Sequence, residues 1–172
     1  MVPIVRAVSA LVLALVAAAL VACEGSHPSS GGSISTNSQG AVQAWGRDVT
    51  VDQTVSALRV TNGNVVVNGT VEGEVDVWNG RLTVNGQIGR DVRLSQGELA
   101  LRRGAQVGGG VFVWNHEQNV QVDGQVAGDL QVSDGRVGLG PSAVVAGNVK
   151  VWRGSFDRAP GARVGGSVQN WT

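Results

Sequence analysis

Residues 65–94, VVVNGTVEGEVDVWNGRLTVNGQIGRDVRL, contain one pattern of five aliphatic positions twice in succession. Val65 of the first pass corresponds to Leu82 of the second, and Val77 to Leu94, so both displacements are 17 residues. The pattern then recurs every 17 to 19 residues towards the C-terminus, which is the signature of a solenoid. Its positions are Val65, Val67, Val71, Val75, Val77; Leu82, Val84, Ile88, Val92, Leu94; Leu99, Leu101, Val107, Val111, Val113; Val120, Val122, Val126, Leu130, Val132; and Val137, Leu139, Val145, Val149, Val151.

Within each repeat, aliphatic residues alternate with polar ones, as in short strands with one buried face. Asn-Gly and Asp-Gly pairs separate these strands, and such pairs form tight turns at low cost. The same dipeptides also build hairpins, but an antiparallel meander does not require five matched core positions in every repeat. We therefore predict an all-β, single-stranded parallel β-helix, or β-solenoid, with about seven coils of 17–19 residues.

The two ends of the pattern differ. An earlier coil begins at Val49, whereas in the last coil two core positions have become polar, Arg158 and Asn170. A polar terminal coil is typical of a solenoid that must close its exposed end. The pattern does not fix the handedness, because a core spacing close to six residues also fits a left-handed hexapeptide-type helix.

The N-terminus predicts membrane anchoring. Residues 1–22 form a short apolar run that ends in small residues before Cys23, the only cysteine, and resemble a lipoprotein signal peptide. A transmembrane anchor is the alternative, since the run approaches the length that spans a bilayer. We predict lipidation of Cys23, a membrane partner through that lipid, a flexible Ser/Gly linker over 23–47 and the β-helix over 48–172. Glu24 slightly favours the outer membrane in a Gram-negative cell envelope.

Composition excludes several functional classes. The chain has 13 basic and 13 acidic residues, so nothing points to a nucleic-acid partner. We find no motif for a cofactor, a metal or a catalytic nucleophile. His116 is the only histidine in the repeats and lacks a nucleophile beside it. We expect no catalytic residues and no enzyme activity.

Tryptophan is prominent in a chain that lacks tyrosine. One tryptophan follows the last buried valine of every second coil, and another lies one step after the third of these, so we expect an exposed column. It would be a stacking strip for glycan, including peptidoglycan, or a face that packs on a membrane or another rod. The structural alternative is that each indole only shields a glycine corner. The candidate residues are Trp78, Trp114, Trp152 and Trp171.

A second outward column contains Glu74, Asp91, Asp129 and Asn148. Such a row could bind cations or place carboxylates for hydrolysis. Gly110 interrupts the row, and Asp and Asn often accept hydrogen bonds from backbone amides at turns. We favour this turn role.

The V-x-G-x-V-x-V units in 65–94, in VQVDGQVAGDLQVSDGRVGLG (120–140) and in AVVAGNVKVWRGSF (143–156) resemble the bactofilins. These are bacterial polymer-forming cytoskeletal proteins. The resemblance spans about 48–172 and implies a right-handed parallel β-helix, filaments formed without nucleotide, and a scaffolding role. Typical members are cytoplasmic, whereas this chain begins with an export signal.

Two functions follow as hypotheses. The first is a non-enzymatic, membrane-anchored scaffold or polymer-forming structural protein of the cell envelope, with self-association. The alternative is a ligand-binding lipoprotein of the adhesin type that uses the tryptophan column.

Overall fold

The structure, a computed structural model, describes residues 33–171. In this part of the chain all regular structure is β, and parallel strands stack into a solenoid of about seven coils. The predicted fold class is therefore confirmed, while its right-handed winding stays a prediction. The predicted signal peptide and Cys23 lie outside the described residues, as do the side chains of 115–118, which include His116.

The strands are short and follow one another at the corners of each coil. In chain order they are β1 (Ser33–Thr36), β2 (Ala41–Trp45), β3 (Val49–Val51), β4 (Thr54–Val55), β5 (Ala57–Thr61), β6 (Val65–Val67), β7 (Thr70–Val71), β8 (Val75–Trp78), β9 (Leu82–Val84), β10 (Gln87–Ile88), β11 (Val92–Ser95), β12 (Leu99–Leu101), β13 (Gln106–Val107), β14 (Val111–Val122), β15 (Gln125–Val126), β16 (Leu130–Leu139), β17 (Val144–Val145), β18 (Val149–Trp152), β19 (Ser155–Arg158), β20 (Arg163–Val164) and β21 (Val168–Trp171).

Three parallel faces enclose the core. Face A contains β2, β5, β8, β11, the starts of β14 and β16, β18 and β21. Face B contains β3, β6, β9, β12, the ends of β14 and β16, and β19. Face C contains β4, β7, β10, β13, β15, β17 and β20. Strands β14 and β16 each run through the corner between faces A and B.

The core confirms the predicted aliphatic positions. Every one of the five positions in the passes from Val65 to Val151 is buried. The register pairs each of them with its equivalent on the next coil, for example Leu82 with Leu99 and Val92 with Val111. Because the strands pair in parallel and in register, like residues form continuous columns inside the rod.

The change of period from 17 to 19 residues has a structural cause at the corner between faces B and C. Strand β9 reaches β10 through the short Asn85-Gly86 corner, whereas β12 reaches β13 through a longer turn at 102–105. In that turn the amide of Ala105 donates to the carbonyl of Arg102 at 3.0 Å. The same turn closes 140–143 and 159–162, and its last residue is a buried alanine: Ala105, Ala143 and Ala162.

The N-terminal boundary corrects the sequence-based prediction. Strand β2 pairs in parallel with β5, and Val42 and Ala44 on it are buried in the core. The solenoid therefore begins at or before Ala41, and the predicted linker 23–47 extends too far. The misleading signal was composition, because this strand follows a stretch rich in Ser and Gly and one of its two core residues is a small alanine.

The two ends are closed differently. At the N-terminal end, β1 pairs antiparallel with β2 and covers the edge of face A. At the C-terminal end, Arg158 lies opposite Leu139 and Asn170 opposite Val151, as the repeat predicts. The guanidinium of Arg158 donates to the carbonyl of Ala162 at 2.6 and 3.1 Å, so it closes the last corner.

Candidate interaction face

Face A carries the predicted tryptophans on its outer side. Register pairs Trp78 with Ser95, Ser95 with Trp114, Trp114 with Ser133 and Ser133 with Trp152. Trp171 lies opposite Trp152 on the last coil. The four predicted residues thus lie in one column, as their spacing indicates, while their binding role stays a prediction.

Sequence reasoning missed the fifth tryptophan. Trp45 lies opposite Thr61, and Thr61 lies opposite Trp78, so Trp45 is the first member of the same column. A step of one coil back from Thr61 would have found it, but the region had been assigned to the linker. The tryptophan column therefore reads Trp45, Thr61, Trp78, Ser95, Trp114, Ser133, Trp152 and Trp171.

The indoles project into solvent. Trp45, Trp78 and Trp114 are 51%, 56% and 51% exposed, which is unusual for the largest apolar side chain. Where two indoles occupy neighbouring coils, at Trp152 and Trp171, their rings stack with centroids 5.2 Å apart and planes 9° from parallel. Elsewhere in the column a threonine or serine separates consecutive tryptophans.

A charged column lies beside the tryptophan column on face A. Arg59, Asp76 and Arg93 occupy successive coils in register. Asp76 is 3.0 Å from Arg59 and 3.8 Å from Arg93, and Arg93 donates to Glu74 at 2.7 Å. This hydrogen bond raises the pKa of Arg93 above its usual value, so the guanidinium is charged at every relevant pH.

Together the two columns form a groove of about 400 Å³. Trp78 and Trp114 provide its apolar walls, Ser95 part of its floor, and Arg59, Asp76 and Arg93 its polar side. Apolar walls beside a few polar groups are what a binding site usually offers. A wider groove of about 620 Å³ near Asn79 and Gln96 is polar throughout its lining and includes the Arg81–Glu98 ion pair.

The column of Glu74, Asp91, Asp129 and Asn148 acts between coils. The Oδ1 atom of Asp91 accepts a hydrogen bond from the amide of Gly110 at 2.8 Å, and that of Asp129 accepts one from the amide of Asn148 at 2.8 Å. Asn148 accepts one in turn from the amide of Ser167 at 2.9 Å. The favoured capping role is confirmed, but each side chain caps the next coil rather than its own turn.

Acid is expected to weaken this cap. The backbone hydrogen bond from Asn148 lowers the pKa of Asp129 below its ordinary value. A lowered pKa adds stability that is present above the unfolded-state pKa, about 3.9, and is lost as the pH falls through the folded-state value. We therefore expect Asp129→Asn to reduce the loss of stability between about pH 5 and pH 2. Denaturant unfolding at several pH values measures it, and an unchanged pH profile would contradict the assignment.

No group of three or more His, Cys, Asp or Glu side chains that could hold a metal ion is found within residues 33–171. The same range contains no helix of the length and apolarity needed to cross a bilayer.

Comparison with known proteins adds no identity. No protein family, curated protein or solved structure matches the chain.

Proposed function

We propose that this protein is a non-enzymatic, membrane-anchored scaffold or polymer-forming structural protein of the bacterial cell envelope. The observation that carries the proposal is the unbroken register of buried aliphatic residues from Val42 to Val151. Each coil is held by the coils before and after it, so the domain is a stiff rod. Short corners leave the faces of this rod as its main surface.

Anchoring rests on the sequence Leu20-Val21-Ala22-Cys23. Acyl chains on Cys23 hold the rod at a membrane because each buried methylene contributes about 0.8 kcal/mol. We expect Cys23→Ser to move the protein from the membrane fraction to the soluble fraction after cell lysis. The matched control, Ser29→Ala, replaces a nearby residue of the N-terminal segment and should stay with the membrane. Membrane retention of Cys23→Ser would exclude the lipid anchor.

Polymer formation is supported by the resemblance of 65–94, 120–140 and 143–156 to bactofilins. The exposed polar residues of the last coil act against simple end-to-end stacking, since Arg158 and Asn170 occupy positions that are aliphatic in the coil before. Electron microscopy of the purified full chain tests this part. Filaments support the polymer, whereas discrete short rods restrict the function to a scaffold.

A second candidate is a ligand-binding surface protein, and one observation favours it. All five tryptophans of the chain share one exposed column, beside a groove of about 400 Å³. Indole faces stack on apolar surfaces, including the C–H faces of sugar rings. Co-sedimentation with peptidoglycan tests the candidate: binding that Trp114→Ala abolishes, and that Arg163→Ala on face C leaves intact, would support it.

A further inference from the structure

The tryptophan column alternates large and small residues in a regular order. Over the six coils from Trp45 to Ser133 it reads Trp, Thr, Trp, Ser, Trp, Ser. Neighbouring coils lie about 4.8 Å apart, so consecutive indoles are separated by about 10 Å. Between each pair of indoles lies a slot whose floor is a small hydroxyl residue.

The width of this slot matches one more indole. Trp152 and Trp171, on neighbouring coils, stack with ring centroids 5.2 Å apart. An indole inserted above Ser95 would lie one coil from Trp78 and one coil from Trp114. It would therefore repeat the Trp152–Trp171 contact on both of its faces. The column itself supplies indoles at the required spacing, so its own shape is complementary to it.

A twofold axis brings two such columns together without changing the order of residues across the face. When the axis runs along the strand direction, the two rods become antiparallel, strand direction is kept, and every column of face A meets itself. With the axis between the coils of Trp78 and Ser95, each tryptophan within the overlap faces a slot. The facing pairs are Trp45 with Ser133, Thr61 with Trp114, and Trp78 with Ser95.

The charged column fits the same register. Asp76 of one copy faces Arg93 of the other, and Arg59 faces Phe112, which suits a cation–π contact. Moving the axis by one coil preserves much of the alternation but brings Arg59 opposite Lys150, which is repulsive. The charges therefore select the first register.

One contact in this register is unfavourable. It places Glu74 opposite Asp91 at the edge of the face, where water screens the repulsion. Arg93 of the same chain lies 2.7 Å from Glu74 and 3.6 Å from Asp91, which partly neutralises both carboxylates.

We infer that face A is the interface of an antiparallel homodimer in which the tryptophans of each copy insert between those of the other. The partner is a second copy of this chain. The inference deepens the proposed scaffold function, because it names the surface through which rods associate side by side. Six coils of one face make a small interface, so we expect dissociation in the micromolar range.

The decisive variant is Ser95→Trp. It fills the slot between Trp78 and Trp114 with an indole from the same chain, so the partner's Trp78 has no place to enter. The substitution adds apolar aromatic surface, and it would strengthen any non-specific apolar association. We expect sedimentation equilibrium of the full chain in mild detergent to show a wild-type dimer and a Ser95→Trp monomer at the same concentration.

Two alanine variants in the same column complete the test. Trp78→Ala removes an indole within the six-coil overlap and should raise the dimer dissociation constant at least tenfold. Trp171→Ala removes an indole beyond the overlap and should change it less than threefold. Each variant should retain the wild-type circular dichroism spectrum, since these side chains lie outside the core.

A wild-type monomer up to about 100 μM, where an interface of micromolar affinity is filled, would overturn the inference. So would a Ser95→Trp variant that dimerises as the wild type does, or equal effects of Trp78→Ala and Trp171→Ala. These outcomes would leave the scaffold proposal standing, because membrane anchoring is tested separately by Cys23→Ser. Retention of that variant in the membrane would instead refute the anchor and leave the dimer intact.

Discussion

Replacing Leu94 by alanine is expected to lower the free energy of unfolding by about 2–5 kcal/mol. Leu94 is completely buried, and it lies between Val77 on the coil before and Val113 on the coil after. The cavity would remove contacts with both neighbouring coils, since the corners and parallel ladders limit how far the coils collapse. Denaturant unfolding followed by circular dichroism measures the loss.

The matched control is Val168→Ala. Val168 occupies the same face on the last coil but is 41% exposed, because no further coil covers it. We expect a loss below about 1 kcal/mol for this variant. Equal losses at Leu94 and Val168 would contradict the view that stability comes from contacts between successive coils.

Gly80→Ala is expected to cost about 3 kcal/mol or more. A Cβ atom on Gly80 would overlap the carbonyl oxygen of Gly63, which is the equivalent corner of the preceding coil. The obstacle is backbone, so no side-chain rotation relieves it. The two coils would have to separate, which weakens parallel hydrogen bonds such as that from the amide of Asn62 to the carbonyl of Trp78.

Gly104→Ala separates this steric effect from the conformational preference of glycine. Gly104 has a φ of +89°, but a Cβ atom there would meet nothing within 4 Å. We expect a cost of only about 1 kcal/mol, from the left-handed backbone alone. Thermal or denaturant unfolding of the two variants side by side makes the comparison, and a greater loss for Gly104→Ala would refute the role of the stacked corner.

The capping column shows why some roles could not be predicted. The sequence predicts that Asp91 and Asp129 accept backbone hydrogen bonds, because this is a common role for aspartate at turns. It does not reveal that the donors, Gly110 and Asn148, belong to the following coil. That depends on how far one coil is shifted along the next, which only the stacked structure defines.

The sequence by itself determined the coil: its five aliphatic positions, its corners, its polar last turn and the column of Trp78, Trp114, Trp152 and Trp171. These features repeat at a fixed interval, so local periodicity reveals them. Tertiary structure alone decided that Trp45 starts the column and that the solenoid begins at or before Ala41. The physical reason is that a terminal coil has a neighbour on one side only. Its strand is held by pairing with β5, a contact that no local pattern in a Ser/Gly-rich stretch could indicate.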